Sequence, residues 1–228
     1  MRLFRTLLLL VTFTVTGMAS AADLSAITSK EAVTALRTTL TKGAEAAVGS
    51  LGKTDGFLGN PAARIQLPEF LAQSKGMLKM VGMGGQLDQV EVSMNRAAEA
   101  AVPQAKAILQ KTIQNMTVED AKQVLGGGET AVTDFFRSKT QSDLYQQLLP
   151  IVKGKTAQVG LAQQYNALAE KGSRFGLVKA EDANLEGYVT NKALDALFLM
   201  VAEEEKAIRA NPVAAGSAVL KKVFGSLK

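Results

Sequence analysis

Ala193-Leu194-Asp195-Ala196-Leu197-Phe198-Leu199-Met200-Val201-Ala202 carries a single polar side chain, Asp195, in ten residues. Wrapped at 3.6 residues per turn, Leu194, Leu197, Phe198, Leu199, Met200 and Val201 cover nearly the whole circumference of a helix. A helix that is apolar all round is enclosed by protein or by lipid. Ten residues reach across only about half a bilayer, so the stretch predicts a buried core helix. Helical spacing extends it to approximately residues 185–209, before Asn211-Pro212. The expected fold is an all-α, single-domain bundle of about seven to nine helices around this rod.

The flanking sequence supplies further helices. Thr28-Ser29-Lys30-Glu31 has the pattern of a capping box, and Val33, Leu36, Leu40, Ala44, Ala47, Val48 and Leu51 form one stripe behind it. Asp55-Gly56-Phe57-Leu58-Gly59-Asn60-Pro61 is dense in turn formers, with Phe57 and Leu58 as apolar plugs. Ile65-Gln66-Leu67 alternates ahead of Pro68 and predicts an extended segment or a short strand. Pro68 opens a helix over 69–81, Gly82-Met83-Gly84-Gly85 ends it, and an alanine-rich run over 87–114 follows, kinked or split at Pro103. Thr117-Val118-Glu119-Asp120 and Thr140-Gln141-Ser142-Asp143 are further cap-like strings, and Pro150 predicts an interruption. Val159, Leu161, Tyr165 and Leu168 continue helical spacing, residues 171–182 read as a polar loop, and a short helix carries Val213, Val219, Leu220, Val223 and Phe224 to the end.

The first residues read differently. Arg2 and Arg5 form a positive start, residues 7–15 an apolar core, and Ala19-Ser20-Ala21-Ala22 a small-residue cleavage point. This is the pattern of a secretory signal peptide over 1–21, with residues 22–228 as the exported domain. Periplasmic localisation is the expectation. The chain has no cysteine, so neither lipid attachment at a processed N-terminal Cys nor a disulfide is open to it. Without Arg2 and Arg5 the net charge falls from +5 to +3, and the charges are interspersed. That distribution argues against nucleic acid as a partner.

Histidine is also absent. No His base, no Cys–His or Ser–His pair and no zinc site of the usual kinds can be built, and no cofactor or metal is expected. Gly126-Gly127-Gly128 before a helix reads as a helix break rather than a phosphate cradle, since Glu129 already sits at the positive helix end. Met77, Met80 and Met83 read as core filler rather than Cu(I) ligands. Glu203-Glu204-Glu205 with Lys206 and Arg209 reads as a solvated face or a structural bridge.

Asp195 is left either on a narrow solvent strip with Asn191 and Ala202 or in the interior. A buried carboxylate needs a partner. Arg96 and Arg137 are the candidates, with Glu99 and Asp120 near them in sequence to complete a network. The network reads as a fold-specifying cluster rather than a ligand-reading one.

Two function classes fit. One is a non-enzymatic binding or scaffolding module of the cell envelope, its partner an apolar ligand, an envelope lipid or another envelope protein. The alternative is a carboxylate-dependent enzyme acting on cell-wall glycan, with a Glu as the acid. The scarcity of aromatic residues, 5% with no Trp, weighs against a sugar groove.

Several strings resemble one known family. They are Asp55–Pro61, Asn95-Arg96-Ala97-Ala98-Glu99, Asp120-Ala121, Gly127-Gly128 with Ala131, Thr133, Phe136, Arg137 and Thr140, and Ala193-Leu194-Asp195 with Leu197-Phe198. The family comprises exported, helix-rich proteins, mainly of Gram-negative bacteria, under a domain-of-unknown-function label. The likeness spans nearly all of the chain beyond the leader. This chain departs from it in having Phe135 for a Tyr, Ala196 for a Gly, and no Arg near Ala215. The resemblance implies a helical periplasmic protein and brings no activity with it.

Overall fold

In the computed structural model, the described residues are 27–80, 82, 84–157, 163, 165–166, 169–170, 174 and 184–226. The expected signal peptide, Val81 and Met83 lie outside them, as do Val159, Leu161, Leu168 and the 171–182 loop except for Arg174, which is helical. The first helix, α1 (Ser29–Leu51), begins where the sequence places its cap. The Thr28 hydroxyl accepts from the Glu31 amide at 3.2 Å, and the Glu31 carboxylate accepts from the Thr28 amide at 3.0 Å. Leu36, Leu40, Ala47 and Leu51 are fully buried along one face.

The rod is α7 (Leu185–Ala210), packed between α1 on one side and α6 (Ala131–Thr156) on the other. Small residues allow the close approach. A Cβ built on Gly43 of α1 would stand 3.0 Å from Val201 Cγ1 and 3.3 Å from the Val201 carbonyl. The apolar face of α7 presents Val189, Ala193, Leu194, Leu197, Phe198, Val201 and Ile208 to the core. It is not enclosed all round, contrary to the reading of its sequence. Lys192 and Leu199 are exposed, and Asn191, Asp195, Met200 and Ala202 are partly so. One flank of the rod faces a surface trough instead of a further helix.

Helices α2 (Glu69–Met80) and α3 (Gly84–Ala101) precede a 3-10 turn at Val102–Gln104, which carries Pro103. The chain resumes as α4 (Ala105–Gln114), so the proline does split the alanine-rich run. A second capping box, Thr117 with Asp120, opens α5 (Val118–Leu125). The last helix, α8 (Ala218–Gly225), packs on α1 and α7. The described residues are helical with connecting turns and no strand, and their apolar side chains form one core. The chain is a single all-α domain.

Three local expectations are corrected. Pro150 does not interrupt α6, which runs through it. The proline leaves the Gln146 carbonyl without its helical amide, and Gln146 is exposed, so water can take that acceptor. Thr140 does not cap a helix either. It is fully buried within α6, its hydroxyl donating to the Phe136 carbonyl at 2.8 Å. Residues 65–67 form neither helix nor strand, and a side chain supplies the partner that a second strand would have. The Asn95 Oδ1 accepts from the Ile65 amide at 2.9 Å, and its Nδ2 donates to the Ile65 carbonyl at 2.9 Å.

The two ends of the described chain are tied by Lys222 of α8, whose ammonium donates to the Glu31 carboxylate at 2.6 Å. That bond, with the Thr28 amide and hydroxyl, holds the Glu31 carboxyl down from its ordinary 4.5 to about 2. A folded pKa below the unfolded one adds stability above pH 4.5 that is lost as pH falls toward 2. Urea midpoints measured from pH 6 to pH 2 should therefore fall less steeply below pH 4.5 in Glu31→Gln than in wild type. Parallel acid limbs would show that the tie contributes nothing.

Candidate functional site

The residues singled out from the sequence divide among three places. The first joint is built on α3. Arg96 donates to Glu99 at 2.7 Å and to Asp55 at 2.8 Å, and these two carboxylates raise the guanidinium pKa further. Glu99, nearly buried, also accepts from the amides of Phe57 at 3.1 Å and Leu58 at 3.2 Å. The 55–61 turn is thereby fastened to α3. Gly56 is required there, since a Cβ would stand 2.5 Å from the carbonyl oxygens of Ser50 and Leu51. Asp55 adopts a left-handed φ of 62°, which Asp tolerates better than most residues.

Asp120 belongs to neither network. It is the third residue of the α5 capping box, accepting from the Thr117 amide at 2.8 Å. Arg137 does meet Asp195, and the two side chains form an ion pair. The pair is half-exposed rather than buried, with side-chain exposures of 36% and 47%. Arg96 lies with Glu99 and Asp55 instead, so the single network expected from sequence is two separate ion-pair sites. Asp195→Ala should shift the urea midpoint by the equivalent of about 0.2–1 kcal/mol, the range of exposed pairs. A loss above about 2 kcal/mol would mean that the pair is desolvated after all.

A further place, outside the expected network, is built on Glu205. Read from the sequence as part of a solvated face or a structural bridge, it is 1% exposed. Its carboxylate accepts from the Val132 amide at 3.1 Å, the Thr133 amide at 2.8 Å and the Thr133 hydroxyl at 2.7 Å. Arg209 donates to it at 2.9 Å. Glu205 thus caps the start of α6 from another helix. The remaining amides there donate to main-chain carbonyls, Ala131 to Gly128 and Asp134 to Thr130. With all four occupied, the first turn of α6 has no amide left for a phosphate. The signal was available: Val201, Glu205 and Ile208 share one helical stripe, and its other members are apolar.

Between the 62–66 segment, the first half of α6 and the exposed flank of α7 lies an open trough of about 590 Å³. Its floor runs from Tyr188 to Lys206, about 27 Å at 1.5 Å per residue. Arg64, Arg137, Lys192 and Lys206 line it against two acids, Asp134 and Asp195. Leu199, 41% exposed, stands in the floor. Arg137 is held from three sides, by Asp195, by Gln141 Oε1 at 3.1 Å, and by the Phe198 ring with its centroid 5.3 Å away. The opposite wall is set by Asn95 through Ile65, and by the Tyr188 hydroxyl, which donates to the Gln66 carbonyl at 3.1 Å.

Among the described residues, no group of three or more acids is placed to hold a metal ion, and no helix is long and apolar enough to cross a membrane. Met80, one of the three spaced methionines, is 84% exposed rather than core filler. Residues 26–225 match the model of a family described as "Protein of unknown function (DUF4197)". No curated protein and no solved structure matches the chain.

Proposed function

We propose, from the premise that the chain belongs to the DUF4197 family of proteins of unknown function, that it is an exported, non-enzymatic binding or scaffolding module of the periplasm. The trough is its binding surface. The observation that carries this reading is the Arg137–Asp195 pair, fixed by Phe198 and Gln141 and still open to solvent. A guanidinium immobilised before any ligand arrives loses little freedom on binding. An exposed leucine beside it in the trough floor supplies apolar contact. Both acids in the trough are already engaged, Asp195 by Arg137 and Asp134 by the Thr130 hydroxyl at 3.0 Å. That engagement favours binding over acid–base chemistry on a glycan. The mixed lining also favours an amphipathic ligand over a wholly apolar one.

Native mass spectrometry on protein released from the envelope by osmotic shock tests the reading. The released chain should begin at Ala22 or Asp23 and carry a non-covalent adduct. Ala202→Trp, which places a ring in the trough without touching the core, should lose the adduct. A chain retaining Met1 in the membrane fraction overturns export. An adduct absent from wild type, or unchanged in Ala202→Trp, overturns the trough as the binding surface.

A further inference from the structure

We infer that the trough receives an extended, acidic peptide segment of a partner protein, a ligand class that rests on the trough being the binding surface. The first argument is length. A floor of about 27 Å accommodates about eight residues of extended chain at roughly 3.4 Å each.

The second argument is charge. Lys192 and Lys206 both line the trough fourteen residues apart on α7, which is about 21 Å along the axis. In an extended chain that separation corresponds to carboxylates about six residues apart. Lys192 lies over the Tyr188 ring at 5.6 Å, and Lys206 pairs with the exposed Glu203 and also feels the Glu129 carboxylate. Both ammonium groups are therefore on the surface for an incoming carboxylate.

The third argument is the ion pair. Arg137 and Asp195 present a donor and an acceptor side by side, Asp195 standing about one turn from Lys192 on the way to Lys206. An extended residue offers the complementary carbonyl and amide. The protein already uses this pairing internally, where the Asn95 side chain holds both main-chain groups of Ile65. Leu199 lies beside this pair for an apolar side chain of the segment.

Other polymers fit less well. A nucleic-acid strand has a phosphate at every nucleotide, whereas this trough has two acids between its terminal cations. A glycan strand would want ring faces along the floor, but Phe198 is covered by Arg137 and Tyr188 lies at one end. An acyl chain would want an enclosed apolar channel, and here the walls carry charge along an open trough.

Fluorescence anisotropy with a fluorescein-labelled octapeptide decides the matter. The peptide carries two glutamates six positions apart, with valine and threonine between them. It should bind the wild-type protein, and Lys192→Glu with Lys206→Glu should weaken it at least tenfold. Changing the peptide glutamates to glutamines leaves the protein untouched and should cause the same loss. Equal binding of a peptide with lysines in place of glutamates overturns the proposal, as does indifference to the double variant. Binding of oligogalacturonate, or of phosphatidylglycerol vesicles, without binding of the acidic peptide overturns the peptide class. If that binding is lost in the same double variant, the trough itself survives as the binding surface.

Discussion

Glu205→Ala is expected to cost about 3–5 kcal/mol, the range for removing one partner of a buried ion pair. Four groups lose their acceptor together, the Thr133 hydroxyl among them. The Val132 and Thr133 amides return to being unpaired donors at the start of α6, now in an interior without water. Arg209, 14% exposed, loses its only carboxylate, keeping the Leu125 carbonyl at 3.2 Å and the Phe224 ring 4.9 Å away. Its Nη2 already has no hydrogen-bond partner, so it has little with which to compensate. For a domain of this size the loss lowers Tm by roughly 6 to 20 °C. Glu205→Gln should lie in between, because one oxygen still accepts while the amide turns its donors toward other donors. Calorimetry on the three proteins gives the order. An alanine variant melting within about 2 °C of wild type would show that water or a neighbouring side chain takes over the cap.

Asn95→Ala is the second large effect, at about 2–4 kcal/mol. The side chain is fully buried and makes three hydrogen bonds, to the Ile65 amide, the Ile65 carbonyl and the Glu91 carbonyl. Alanine leaves both polar groups of Ile65 without these partners, and each buried orphan costs about 1–3 kcal/mol. Asn95→Asp is nearly the same shape, yet it should be no better. It would set a carboxylate oxygen against two carbonyl oxygens where the amide nitrogen now donates. The 62–66 wall of the trough would loosen in either variant. Hydrogen exchange at the Ile65 amide, read alongside the urea midpoint, separates the outcomes. Unchanged protection in Asn95→Ala would mean that the wall is held by Tyr188 and the packing of Ile65 alone.

Both residues show where the sequence was legible and where it was not. Features decided within one turn could be read. The Thr28–Glu31 box, the Thr117–Asp120 box and the split at Pro103 depend on neighbours three or four residues away, and all three are present. The rod itself could be read from its apolar residues. Its open flank could not, since an exposed leucine and a buried one look alike until the packing is known. Glu205 and Arg209 have the i,i+4 spacing of any surface ion pair, and only the apolar stripe through Val201 and Ile208 separated them from one. Asn95 lies in a comparable stripe with Ala98 and Val102. Arg137 and Asp195 were matched by charge across 58 residues, and Arg96 does lie with Glu99, but the two pairs are separate and Asp120 joins neither. Charge complementarity narrows the partners of an arginine without choosing among carboxylates.

Glu205 lies 73 residues beyond Val132 in the chain. The helix it completes therefore cannot be finished when its own residues are made. Until α7 arrives, α6 has an open first turn, with Gly126–Gly128 before it and Pro150 near its far end. Emerging from a ribosome or a translocation channel, the N-terminal two-thirds would stay loosely organised and then tighten in one late step as the rod docks. Such an order of events would suit the export proposed above, which requires a threadable chain. Pulse-labelling exchange on nascent chains ending before and after residue 205 would show protection of Val132 and Thr133 only in the longer chain.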